Sequence, residues 1–116
     1  MIRQTLLATT LILSSAATFA QGAADYEVTI TNITRGQTFT PQLVVTHPAS
    51  VQLFELGGVA SESLAILAEG GDTEPLTLDL ANVADDVKTI GGLLAPGASA
   101  SIVVSGNPGS SHLSVA

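Results

Sequence analysis

Apolar and polar residues alternate along several short stretches of this chain, which is typical of β-strands that have one face in water. Between Tyr26 and Thr31, tyrosine, valine and isoleucine at the even positions alternate with glutamate and threonine at the odd ones. Similar patterns predict strands at residues 51–56 and 98–105, and the apolar run at 42–46 predicts a strand that is buried on both faces. We therefore expect an all-β, antiparallel fold.

One segment, residues 61–68, has helical spacing instead. Two leucines lie three positions apart in it, Ser61 can cap a helix at its start, and glycines at 70 and 71 can end it. This pattern predicts one short helix. Leucines alternate with polar residues at the start of segment 76–83, whereas a short helix also fits it, so the residues alone leave this segment open.

The first 20 residues have the parts of a secretory signal peptide. Arg3 provides the positive charge, residues 6–13 form a short apolar run, and Ala20 is the small residue that a signal peptidase needs. The apolar run is shorter than the ~20 residues of a membrane-spanning helix. We expect a signal peptide at 1–20, a linker at 21–24, one domain at 25–106 and a flexible tail at 107–116, in a protein that is secreted or periplasmic.

The charge of the chain limits its partners. After residue 20, ten acidic residues accompany only two strong bases, Arg35 and Lys88, so the net charge is −8 with histidine neutral. Such a surface repels phosphates, so we expect no nucleic-acid partner and no membrane insertion after signal cleavage. Because the chain has no cysteine, its stability must come from an aliphatic core rather than from disulfides.

Three sites in the sequence contain residues that could have a catalytic, metal-binding or modification role. His47 has no second histidine or cysteine at metal-ligand spacing and is interpreted as a loop residue, with a hydrolase that uses His47 as the alternative. Asp85 and Asp86 are adjacent in an expected turn and are the candidate calcium ligands, but the alternating acids of an EF-hand loop are missing, and a solvated turn is the simpler interpretation. The glycosylation sequon that begins at Asn32 is interpreted as turn chemistry.

The stretch TITNITRGQTFTP at residues 29–41, with His47 downstream and Gly-Asp-Thr at 71–73, resembles the bacterial branch of the spondin N-terminal domain family. The resemblance covers roughly residues 26–106. It implies a secreted β-sandwich similar in outline to C2 domains, and it favours a helix or irregular structure at 76–83. The animal members of the family are extracellular-matrix proteins with a bound calcium ion.

Domains of this family usually continue beyond the position of Ala116. The resemblance therefore implies either the N-terminal portion of such a domain or a shortened member, with open sheet edges that are available for self-association. Because a calcium ion needs ~6–8 oxygen ligands and the acids of this chain are dispersed, we expect weak calcium binding or none.

These features predict an exported, non-enzymatic module for binding or adhesion, with an unknown protein or glycan as its ligand. Calcium is the one cofactor that the resemblance suggests. Two alternatives stay open, namely a small extracytoplasmic hydrolase and an incomplete structural domain without independent activity.

Overall fold

The structure is a computed structural model that describes residues 22–109 and 111–116. The elements of this part of the chain are, in order, β1 (Ala24–Thr31), β2 (Gln42–Pro48), α1 (Glu62–Gly70), α2 (Glu74–Leu80), β3 (Asp86–Ile90), β4 (Ser99–Gly106) and β5 (Ser111–Val115). The signal peptide predicted at 1–20 lies outside the described residues. Neither of the two helices described has the length and apolar character needed to cross a membrane.

The strands form two antiparallel sheets. β1 pairs with β4 along its whole length, from Ala24 opposite Gly106 to Thr31 opposite Ser99. β2 is the middle strand of a three-stranded sheet, with β3 on one side and β5 on the other. The part of the chain that the structure describes is therefore mostly β, with two short helices.

β2 is buried because each of its faces contacts a different layer. On one face, Val44 packs in a cluster with apolar residues of β1, β3 and β4. On the other face, Leu43 and Val45 pack against leucines of α1 and α2. The prediction that residues 42–46 are buried on both faces is confirmed, since each of them is at most 8 % exposed.

Local sequence explains where the helices begin and end. The Ser61 hydroxyl accepts a hydrogen bond of 3.2 Å from the Leu64 N–H and caps α1, and Gly71 ends α1 in a left-handed conformation with φ of 71°. The helix predicted at 61–68 is thereby confirmed. The prediction of a single helix is wrong, because Glu74 and Pro75 begin a second one, α2, in the segment that the residues alone left open.

The strand predicted at residues 51–56 is not formed. Leu53 is buried, whereas Phe54 and Leu56 are exposed, and a backbone hydrogen bond of 2.9 Å closes a turn over residues 55–58. A strand needs a partner, and both edges of the preceding strand β2 are already paired with β3 and β5. Alternation alone therefore gave the wrong prediction.

Two segments that we expected to be irregular are strands. The solvated turn expected from Asp85 and Asp86 onward is mostly β3, and the tail expected to be flexible at 107–116 contains β5. The N–H and carbonyl groups of Leu43 and Ala116 form two hydrogen bonds with each other, 2.8 and 3.0 Å long. These polar segments gain backbone hydrogen bonds from the two edges of β2, so the folded part of the chain extends beyond residue 106.

Candidate functional site

A groove of about 340 Å³ lies between β1 and β5. Tyr26 and Val28 of β1 line it together with Leu113 of β5, and Asn107 and Ser111 line it where β4 leads into β5. The groove is thus lined by apolar side chains from two strands of different sheets, together with polar residues that include Glu27, Thr46 and His112.

The groove exists because β1 and β4 cover only part of the three-stranded sheet, with β4 packing mainly against β3 and β2. Leu113 lies opposite Thr46 and Val115 lies opposite Val44, so these four side chains point to the same face. The Thr46 hydroxyl donates a hydrogen bond to the Ser105 carbonyl of β4, which identifies this face as the one that β4 covers. Val44 is fully buried there, whereas Leu113 and Val115 remain 52 % and 50 % exposed.

A tight connection between β4 and β5 holds this arrangement. The Asn107 N–H donates to the Ser111 hydroxyl at 2.7 Å, and the Ser111 N–H donates to the Asn107 carbonyl at 2.9 Å. A Cβ atom on Gly106 would lie 3.3 Å from the Ser111 side chain. Close approach of the two strands therefore favours a glycine at this position.

The two candidate calcium ligands of the sequence lie at the junction of β3 with β4. Asp86 accepts a hydrogen bond of 2.9 Å from the Ser105 N–H, and its other carboxylate oxygen is 3.7 Å from the Lys88 ammonium. Asp85 accepts hydrogen bonds from the Asn107 amide at 3.3 Å and from the Ser111 hydroxyl. Both carboxylates thus connect β3 to neighbouring segments.

Within residues 22–109 and 111–116, no group of three or more histidine, cysteine, aspartate or glutamate side chains is arranged to hold a metal ion. A hard cation such as calcium needs several convergent oxygen ligands. The assignment of Asp85 and Asp86 as calcium ligands stays a prediction.

His47 is not in a loop, since it lies in β2 and is only 5 % exposed. Its Nδ1 is 2.9 Å from the Pro48 carbonyl oxygen, and its Nε2 is 2.7 Å from the Ser114 hydroxyl. A carbonyl oxygen can only accept, so Nδ1 carries the proton and Nε2 accepts from Ser114 in the neutral ring. The His112 ring stacks on His47 with 6.0 Å between centroids and 22° between planes.

A cavity of about 280 Å³ lies beside this pair, lined by His47, Ser114, His112 and the irregular segment around Phe54. A hydroxyl that donates to an imidazole is the first requirement of a serine nucleophile. The same contacts also describe a buried histidine whose two ring nitrogens are satisfied.

Sequence reasoning missed every β5 residue of these two sites because it assigned them to a flexible tail. The pattern of Ser111–Val115 contains a usable signal, since polar His112 and Ser114 alternate with apolar Leu113 and Val115. The register places His112 and Ser114 on the same face of the sheet as His47, and Leu113 and Val115 on the face of Val44 and Thr46. Of these four residues, His112 and Leu113 line the groove.

Comparison with family models, with curated proteins and with solved structures gives no match to this chain. The resemblance to the spondin N-terminal domain therefore stays a prediction from the residues quoted for it.

Proposed function

We propose that this chain is an exported, non-enzymatic binding module that holds a segment of another protein in the groove between β1 and β5. The observation that carries the proposal is the half-exposed Leu113, which lines the groove with Tyr26 and Val28 of β1 and has the half-exposed Val115 on the same face of β5. Concave apolar surfaces with a polar rim are typical of recognition sites.

The proposal includes a β-sandwich of the kind that the spondin resemblance implies. Two antiparallel sheets contribute to one apolar layer, in which Val44 and Ile90 of the three-stranded sheet meet Val104 of β4. Such face-to-face packing of antiparallel sheets supports a sandwich. The apolar walls of the groove suit a protein segment better than a glycan, which needs many polar partners.

Peptide display tests the binding function. Peptides selected on the wild-type chain should bind a Leu113→Asn variant at least about tenfold more weakly, because the substitution removes an apolar wall of the groove. The matched control is Leu78→Asn, which changes an exposed leucine of α2 outside the groove and should leave binding unchanged. If both variants retain full binding of all selected peptides, the groove is not the site.

Export is proposed from the apolar run at 6–13 and from Ala20. Expressed with its own N-terminus in a bacterium, the protein is expected outside the inner membrane and to begin at Gln21 on N-terminal sequencing. A variant with charges in the apolar run, Leu7→Arg with Leu11→Arg, should keep Met1 and stay in the cytoplasm. Recovery of wild-type protein with an intact N-terminus from membranes would contradict export.

Calcium is not needed for this proposal. We expect calorimetry to detect weak calcium binding or none, because the nearby carboxylates already accept protein hydrogen bonds. A micromolar site that disappears in Asp86→Ala would overturn this expectation.

A second candidate function, ester or amide hydrolysis by Ser114, is favoured by its 2.7 Å hydrogen bond to His47. Its test is hydrolysis of an activated ester together with labelling by a fluorophosphonate. The non-enzymatic proposal expects neither reaction to depend on Ser114. Turnover and labelling that are both lost in Ser114→Ala, but kept in Ser50→Ala, would establish the hydrolase instead.

A further inference from the structure

We propose that the partner segment binds as an extended strand added to the open side of β1, with basic residues alternating with apolar ones. This inference rests on the proposed function and specifies the chemistry of its ligand.

The strand geometry follows from the two sheets. Within the described residues, β4 is the only strand paired with β1, so backbone N–H and carbonyl groups on the other side of β1 are available. Neighbouring strands lie ~4.8 Å apart, and stacked sheets lie ~10 Å apart. Because β4 lies over β3 and β2, a third strand beside β1 would lie over β5.

An added strand would cover the apolar side chains that the fold leaves open. Leu113 and Val115 point toward the layer of β1 and β4, and Tyr26 is 43 % exposed on the same face of β1 as Val28. Every second side chain of the added strand would face these residues. Those positions of the partner should therefore be apolar.

The other side chains of the added strand would lie beside a negative surface. Asp25 and Glu27 are exposed on the opposite face of β1, and the Asp85 carboxylate accepts hydrogen bonds from two residues that line the groove. Neither strong base contributes to the groove lining: Arg35 lies in the loop after β1, and Lys88 is 3.7 Å from Asp86. Lysine or arginine at the outward positions of the partner would complement this charge.

A second copy of this chain is a poor occupant of the same edge. Each copy carries a net charge of −7 over its full sequence. Antiparallel pairing of two β1 strands would bring Asp25 and Glu27 of both copies onto one face, where like charges repel. The charge pattern thus favours a basic partner over self-association.

Calorimetry with designed peptides tests this inference. The probe is an eight-residue peptide in which lysine and valine alternate, and the controls are its glutamate–valine analogue and a peptide of the same composition with its lysines in one block. We expect the alternating basic peptide to bind at least about tenfold more tightly than either control, and its affinity to fall with salt. Equal binding of the acidic analogue would overturn the inference.

Matched charge variants on β1 and α1 show which acidic residues attract the basic peptide. Asp25→Asn with Glu27→Gln should weaken binding of the basic peptide about tenfold and remove most of its salt dependence. Glu62→Gln with Glu69→Gln changes the net charge equally, on α1, and should have little effect. Equal losses in the two double variants would mean that only the overall charge acts, which would contradict a site at β1.

Methylation of the peptide's backbone nitrogens distinguishes strand addition from other modes of peptide binding. Consecutive residues of a strand direct their N–H groups to opposite edges, so N-methylation of only the lysines or only the valines blocks a single edge. One of these two methylated peptides should lose binding and the other should keep it. Equal effects of both patterns would contradict strand addition.

Failure of this inference can be separated from failure of the proposed function. If displayed peptides depend on Leu113 but show no preference for alternating basic residues, the groove binds a different kind of segment and only the inference fails. If the chain sediments as a dimer that Glu27→Lys strengthens, by placing a lysine opposite Asp25 of the second copy, a second copy occupies the edge and the basic partner is excluded.

Discussion

Asn32 is fully buried, and its side-chain amide is completely hydrogen-bonded. Its Nδ2 donates to the carbonyl oxygens of Gln37 and Leu94 at 2.7 and 3.0 Å, and its Oδ1 accepts from the Thr34 N–H at 3.0 Å and from the Thr34 hydroxyl at 2.6 Å. The interpretation of the sequon as turn chemistry is confirmed by these contacts, since both protons of Nδ2 are engaged. This residue fastens the loop after β1 to the segment before β4.

Replacing Asn32 with alanine should strongly destabilise the protein. The substitution removes four hydrogen bonds of a fully buried side chain and leaves the Thr34 N–H without its acceptor, and each hydrogen bond contributes ~0.5–1.5 kcal/mol. We expect the free energy of unfolding in urea to fall by at least that amount. Asn82→Ala, at an exposed position, should change it by less than ~0.5 kcal/mol, and a similar loss in both variants would contradict the role of Asn32.

A substitution at Gly71, the residue that ends α1, tests the local backbone geometry of the fold. Its φ is +71°, and a Cβ atom would lie 2.8 Å from the Thr40 Cβ, so alanine is both strained and sterically excluded. Gly71→Ala should lower the free energy of unfolding by more than ~1 kcal/mol. Gly70→Ala, where a Cβ meets no atom within 4 Å, should be neutral or slightly stabilising, and the reverse order would contradict the geometry.

At the level of elements, local patterns predicted β1, β2, β4 and α1, because alternation, β-branching and capping are local properties. They did not predict β3 and β5, whose strand structure depends on pairing with the two edges of β2. Residues 51–56 do not form the predicted strand because both edges of the preceding strand β2 are already paired, with β3 and β5. The groove was missed for this reason, since its apolar wall on β5 lies in a segment with the composition of a mobile tail.

Hydrogen exchange tests whether β5 belongs to the folded sheet. The Ala116 N–H donates to the Leu43 carbonyl at 3.0 Å, so we expect its exchange to be slowed by orders of magnitude relative to an unstructured peptide. The amide of Leu56, in the exposed irregular segment, serves as the internal reference. Equally fast exchange at both positions would show that β5 is not stably paired.

At the level of the whole molecule, part of the core and the proposed binding surface lie on the same face of the three-stranded sheet. The same face of the three-stranded sheet is covered over β2 by β1 and β4, and is open over β5. An acidic rim at Asp25 and Glu27 adjoins this opening. The fold thus combines an open strand edge, an apolar strip and negative charge in one place.

The most direct test of this account is an amide chemical-shift map of the ¹⁵N-labelled chain during titration with the alternating lysine–valine peptide. We predict the largest changes at residues 25–29 of β1 and 113–115 of β5, with little change in α1 or in residues 51–54, which line the His47 cavity away from β5. Binding accompanied by its largest changes in α1 or at the His47 cavity, with β1 unperturbed, would contradict a recognition site between β1 and β5.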